Sequence, residues 1–90
     1  LELERDNPTA LNGLGYILAD TEKDVRKGLN LCKKAVEKKP QNPAYMDSLG
    51  WAYFKNGEIL EARTWIRRAL DLLPRHPEII AHMRTVLGAD

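Results

Sequence analysis

The chain has a single cysteine, Cys32, and no marked excess of charge of either sign. A lone cysteine cannot form an internal disulfide, so the fold must be held together by packing alone. The 14 basic residues nearly balance the 13 acidic ones, and the net charge is +1. Net charge therefore does not select nucleic acid, a membrane surface or an acidic molecule as the partner.

Long hydrophobic runs are also missing from the sequence. No apolar stretch approaches the about 20 residues that a membrane-spanning helix needs. With 43% hydrophobic and 30% charged residues, the 90-residue composition is typical of one soluble globular domain. We therefore expect a single soluble domain without membrane insertion.

What the chain does contain is an internal repeat, whose period decides the architecture. An Asn-Pro segment that begins at Asn7 recurs at Asn42, 35 residues later, and a His-Pro variant begins at His76, a further 34 residues on. Residues 28–40 align with residues 62–74, at an offset of 34. The first copy must therefore carry one extra residue in its turn.

Helix start and stop signals accompany each copy. Asparagine or histidine stands before a proline at three sites, which is typical of a capped helix start. Thr21, with Asp24 three residues on, predicts a capping box, and Gly57 predicts a left-handed helix stop. The pattern predicts five helices, over 8–20, 24–38, 43–55, 59–73 and 77–88.

Apolar residues recur at helical spacing on the first helix of each copy, and we expect this stripe to face the core. The stripe comprises Leu11, Leu14, Leu18, Met46, Leu49, Tyr53, Ile80, Met83 and Leu87. Small residues, among them Gly15 and Gly50, should let paired helices approach closely. Gly28 stands where the second copy has Ala62, and glycine within a helix costs about 1 kcal/mol relative to alanine. The first copy is therefore predicted to be locally weaker.

This spacing resembles the tetratricopeptide repeat, a 34-residue unit with the pattern W-x-x-L-G-x-x-Y, A-x-x-x-F and P. Met46 takes the tryptophan position and Ile66 the phenylalanine position. The other matching residues are Leu49, Gly50, Tyr53, Ala62, Ala69 and Pro74. The resemblance covers residues 8–88 and implies an all-α fold, a right-handed α-solenoid of antiparallel helical hairpins with about two and a half repeats.

The repeat also predicts how the chain is organised. We expect residues 1–7 to be the tail of a preceding helix, 8–42 to be repeat 1, 43–76 to be repeat 2 and 77–90 to be a C-terminal capping helix. Residues 1–8 align in register with 70–77, which predicts that the native chain continues upstream. An uncovered end could self-associate, but the sequence favours a monomer.

The resemblance to tetratricopeptide repeats implies that the first helix of each repeat lines a concave groove. Side chains spaced i, i+4 define a second face on these helices, away from the apolar stripe. The candidate groove residues are Asn12, Tyr16, Asp47, Trp51, Phe54, Lys55, His82 and Thr85. Aromatic anchors among polar residues predict binding of a peptide or helix of a partner protein, although the aromatic side chains could instead pack against neighbouring helices. Lys55 alone does not predict the cationic clamp with which some family members hold a peptide carboxylate.

Two other interpretations remain open. The segment could be a structural spacer of a longer solenoid, without a ligand of its own. Alternatively, a lysine stripe on the second helix could bind nucleic acid, since phosphate contact needs only clustered cations. Its members are Lys23, Lys27, Lys34 and Lys38. The pI of 8.1 and the lack of interleaved aromatics disfavour nucleic acid.

No residue pattern indicates catalysis. His76 occupies a helix-cap position, and His82 has no partner at metal-ligand spacing. Cys32 falls in a core position, where a thiol is usually inert. We therefore expect no enzyme activity, cofactor, metal or small-molecule substrate. The Leu-Gly-Tyr and Leu-Gly-Trp forms resemble repeats of bacterial envelope-associated family members, which is a faint indication for the envelope or periplasm over the cytoplasm.

Overall fold

The computed structural model describes residues 7–89, and this range forms α-helices packed as sequential antiparallel pairs. They are α1 (Pro8–Asp20), α2 (Val25–Lys38), α3 (Pro43–Lys55), α4 (Ile59–Leu72) and α5 (Pro77–Leu87). Helix α1 packs on α2, α3 packs on α4, and α5 packs on α4. The predicted all-α fold with five helices is confirmed over these residues. The predicted helical tail at 1–7 lies outside them except for Asn7.

A side-chain cap starts each of the first helices α1, α3 and α5. Asn7 accepts hydrogen bonds from the N–H groups of Thr9 and Ala10. Asn42 accepts from the Tyr45 N–H, and His76 Nδ1 accepts from the Ile79 N–H at 3.4 Å. Each cap satisfies donors that a helix start leaves free, and the proline that follows has no N–H to satisfy.

The capping box predicted for α2 is wrong. Asp24 is itself the N-cap, and its carboxylate accepts from the Lys27 N–H at 3.1 Å. Thr21 instead closes α1, where its hydroxyl donates to the Ile17 carbonyl at 2.7 Å. The extra residue of this turn moves the start of α2 past Thr21, so the threonine cannot reach the new helix.

The two hairpin turns differ by one residue, as the repeat offset predicted. Residues 21–24 connect α1 to α2, whereas 56–58 connect α3 to α4. Gly57 adopts a left-handed backbone with φ of 84°, and Glu22, its counterpart at the 35-residue offset, has φ of 61°. The left-handed region is unfavourable for a residue with a Cβ.

Replacing Glu22 by glycine should therefore raise the free energy of unfolding by about 0.5–1 kcal/mol. The ion pair between the exposed Glu22 and the partly buried Lys55 would be lost, but ion pairs at the protein surface contribute only about 0–1 kcal/mol. Urea denaturation measures the change. Glu22→Gln removes the ion pair and keeps the Cβ, so it should not stabilise the protein, and an equal gain from both variants would contradict the backbone explanation.

The core lies between the helix pairs, and its most enclosed large side chains are Leu49, Ile66, Ile79, Val86 and Cys32. The predicted apolar stripe is buried only in part. Leu14 is 49% exposed and Leu87 is 52% exposed, because α1 and α5 are the outermost first helices of the described stack. In α5 the buried apolar positions are Ile79, Met83 and Val86, and not the predicted Ile80 and Leu87.

None of the helices in the described part of the chain is long and apolar enough to cross a membrane.

Candidate functional site

Side chains of all three first helices meet on one face of the molecule. Asp47 of α3 lies beside His82 of α5, with its Oδ2 and Oδ1 atoms 2.8 and 3.0 Å from His82 Nδ1. The other ring nitrogen, Nε2, lies 3.3 Å from the Tyr16 hydroxyl of α1. A chain of hydrogen bonds therefore joins α1, α5 and α3.

The donors in this chain follow from the chemistry of its members. A carboxylate only accepts, so His82 donates its Nδ1–H to Asp47, and in that tautomer Nε2 can accept from the Tyr16 hydroxyl. Burial and, to a smaller extent, the negative charges of Asp20, Glu78 and Asp47 together raise the pKa of Tyr16 to about 12. The Tyr16 hydroxyl therefore keeps its proton at neutral pH and can donate it.

Trp51 adds an aromatic layer to the same face. Its ring stacks on His82 at 4.3 Å between centroids and 20° between planes, and it lies 5.0 Å from the Phe54 ring. The indole N–H donates to Asp20 Oδ1 at 3.0 Å. These three contacts hold Trp51 in one orientation, with part of its surface still open.

Lys55 is the cation beside the aromatic layer, and its ammonium group already has partners within the chain. Its Nζ atom lies 2.9 Å from Glu22 Oε2 and 5.8 Å from the centre of the Trp51 ring. Arrangements of this kind occur between a cation and an indole face. Lys55 therefore joins the first hairpin turn to the aromatic layer.

A cleft of about 350 Å³ opens beside these side chains. Its walls come from α1 (Asn12, Gly13, Tyr16 and Ile17), from α3 (Ala44, Asp47 and Ser48), and from Leu73, His76, Glu78 and Ile79 around the start of α5. Asn12 Oδ1 is buried and has no hydrogen-bond partner among residues 7–89. The cleft thus combines apolar walls with hydrogen-bond acceptors.

The structure distributes the eight predicted groove residues over four environments. Asp47 and His82 are almost enclosed, at 6% and 9% exposure, and present little surface. Asn12 and Tyr16 line the cleft, and the aromatic layer contains Trp51 and Phe54 with Lys55 at its edge. Thr85 is exposed, and its hydroxyl donates to the Ala81 carbonyl within its own helix.

Two acidic residues of this face were missed by the sequence analysis. Asp20 follows Tyr16 by four residues, and that spacing on a helix could have found it. Glu78 lies in the first turn of α5. Its position beside the cleft depends on how α5 packs, so no spacing within the sequence indicates it.

Other reactive groups of the described chain offer little chemistry. Within residues 7–89, no three His, Cys, Asp or Glu side chains come together in a way that could hold a metal ion. Burial raises the pKa of the Cys32 thiol to about 12, so it stays protonated at neutral pH. Within the described residues, this face offers hydrogen-bond acceptors, aromatic rings and a cleft.

Comparison with known proteins agrees with the architecture. Residues 43–76 match the family model described as tetratricopeptide repeat. Over 80 residues, which are 89% of this chain, the sequence is 41% identical to a TPR repeat-containing protein of Pseudomonas aeruginosa, and it spans 13% of that relative's length. Repeats of this family generally mediate protein–protein interactions and are typically not catalytic. The motif spacing, the antiparallel helix pairs and these matches together show that the chain belongs to the tetratricopeptide repeat family.

Proposed function

We propose that this chain is a protein-interaction module, without catalytic activity, that holds a peptide or helix of a partner protein on its concave face. The cleft between α1, α3 and the start of α5 carries this proposal. Its volume of about 350 Å³ falls within the range of ligand-binding clefts. That space suits one or two side chains of a partner segment.

Exposed apolar surface beside the cleft supports the same proposal. Ile17 is 56% exposed and Leu73 is 38% exposed, and both line the cleft. A partner that covered them would gain about 25 cal/mol for each Å² of apolar surface removed from water. Trp51 and Phe54 extend this surface along α3.

The candidate residues have different parts in this proposal. Asn12 and Tyr16 contact the partner directly, while Trp51, Phe54 and Lys55 form the rim and Thr85 the far edge. Asp47 and His82 hold Tyr16 and Trp51 in place through their hydrogen bonds and the ring stack. A face fixed in this way loses little conformational freedom when a partner binds.

Filling the cleft provides the test. Ala44 is an exposed residue of the cleft wall, so Ala44→Trp should block the site and weaken partner capture at least tenfold, or about 1.4 kcal/mol. Affinity capture of peptides from a bacterial proteome digest, compared between variant and unmodified chain, measures the effect. Ala10→Trp is the matched control, because Ala10 is an exposed alanine of α1 that does not line the cleft. Equal capture by the two variants would exclude the cleft as the binding site.

The same peptides, titrated into isotope-labelled protein and followed by NMR, separate the alternative functions. Shifts confined to Asn12, Asp47 and Trp51 support the concave face. A nucleic-acid surface predicts shifts along residues 27–38 when an oligonucleotide is added, with steep salt dependence. A structural spacer predicts no shifts with either ligand.

A further inference from the structure

We propose that the cleft selects partner segments that carry a basic side chain, and that this side chain enters between α1 and α3 with its cationic end at the acceptors. The inference rests on the proposed function, since it names the chemistry of the segment that the concave face would hold. It is argued from the charges, the unpaired acceptor and the apolar walls of the cleft.

The charged residues of the cleft wall are of one sign. Asp47 and Glu78 contribute carboxylates, and among residues 7–89 no lysine or arginine lines the cleft. Asp20 lies nearby, held by the Trp51 indole. Lys55, the cation of the neighbouring rim, is engaged with Glu22 at 2.9 Å. A cationic group that enters the cleft would therefore meet attractive charges without a competing cation in its walls.

The pKa of Tyr16, which lines the cleft, is affected by the same negative charges. Burial is the largest cause of the raised pKa of Tyr16, and the charges of Asp20, Glu78 and Asp47 follow as the other causes. Three carboxylates from α1, α5 and α3 therefore act together at the Tyr16 hydroxyl. The contribution of these carboxylates, unlike that of burial, disfavours a negative phenolate and favours a positive group at the same point.

An unpaired acceptor lies in the same wall. Asn12 Oδ1 is buried and has no hydrogen-bond partner within the described chain. Buried acceptors are nearly always satisfied, so an unsatisfied one on a residue that lines a cleft indicates a donor that is supplied from outside. The side chains of lysine and arginine carry several N–H donors and no acceptor, which suits a wall of this kind.

The remaining walls match the rest of a basic side chain. Ile17, Ala44, Leu73 and Ile79 offer apolar surface along the cleft. Lysine and arginine combine an aliphatic stem with a charged end, and they commonly bury the stem along apolar surface. An acidic side chain would place a third negative charge beside those of Asp47 and Glu78 and would leave the Asn12 acceptor unpaired.

Three blocked pentapeptides test this inference: acetyl-Ala-Ala-Xaa-Ala-Ala-amide, with Xaa as arginine, citrulline or glutamate. Citrulline has nearly the shape of arginine and no charge, so it isolates the contribution of the cation. NMR titration should show saturable shifts at Asn12, Tyr16 and Ile17 with the arginine peptide. Binding of the citrulline peptide should be at least tenfold weaker, and the glutamate peptide should cause no saturable shift.

A pair of glutamate variants provides the control on the protein. Glu78 and Glu61 are both exposed acidic residues in the first turn of a helix, but only Glu78 lines the cleft. Glu78→Gln should weaken binding of the arginine peptide at least threefold, and Glu61→Gln should leave it unchanged. Equal binding of arginine and citrulline, or equal effects of the two variants, would overturn the inference.

The outcomes also separate this inference from the proposed function. If Ala44→Trp abolishes capture of proteome peptides but the arginine peptide gives no charge-dependent shift, basic selection is wrong and the concave binding site stands. If the arginine peptide does not bind and Ala44→Trp has no effect on capture, both proposals fall.

Discussion

Replacing His82 by alanine is expected to lower the free energy of unfolding by about 3–5 kcal/mol. His82 is the hydrogen-bond partner of the Asp47 carboxylate, which is only 6% exposed. Without the imidazole, the carboxylate would be left nearly buried without that partner, and Tyr16 and Trp51 would lose the ring that joins them. Urea denaturation, followed by the circular dichroism of the helices, measures the loss.

Two control variants isolate the buried pair. His76 is the other histidine of the chain, and it is exposed at the start of α5. His76→Ala should cost only about 1 kcal/mol, the value of a helix cap. The double variant Asp47→Leu with His82→Leu replaces both members by apolar groups and should recover most of the loss. If His82→Ala is no less stable than the double variant, the unpaired Asp47 carboxylate is not the source of the lost stability.

The sequence predicted the helices closely because their boundaries depend on local signals. A proline follows a capping side chain at the start of α1, α3 and α5, and the repeat transfers each boundary from one copy to the next. The α1–α2 turn was predicted less well, because its extra residue has no counterpart in the other copy. Local spacing therefore suggested the Thr21 capping box, whereas the longer turn makes Asp24 the cap.

The candidate face was predicted as a set of residues but not as a set of contacts. Spacing of i, i+4 correctly placed Asn12 and Tyr16 on one face of α1. The contact between Tyr16 and His82 joins residues 66 positions apart, so it depends on the relative positions of α1, α3 and α5. Those positions are set by the packing of the hairpins against one another. The sequence therefore did not show that Asp47 and His82 would be almost enclosed.

Gly28 shows how packing can reverse an argument from helix propensity. On propensity alone, this glycine predicted a weak point in the first hairpin. In the structure, a Cβ on Gly28 would lie 2.6 Å from the Gly15 carbonyl oxygen and 2.8 Å from the Ala19 backbone nitrogen. Backbone atoms cannot turn aside as a flexible side chain can. Gly28, together with Gly15 on the facing helix, therefore lets α1 and α2 approach closely.

Replacing Gly28 by alanine should lower the free energy of unfolding by about 1–3 kcal/mol, because overpacking outweighs the better helix propensity of alanine. Gly13 is the matched control, since it also lies within a helix but has no atom within 4 Å of a Cβ placed on it. Gly13→Ala should raise the free energy of unfolding by up to about 1 kcal/mol. Urea denaturation of both variants gives the two signs. If both substitutions stabilise the protein, helix propensity dominates at Gly28, and α1 and α2 can move apart without loss of stability.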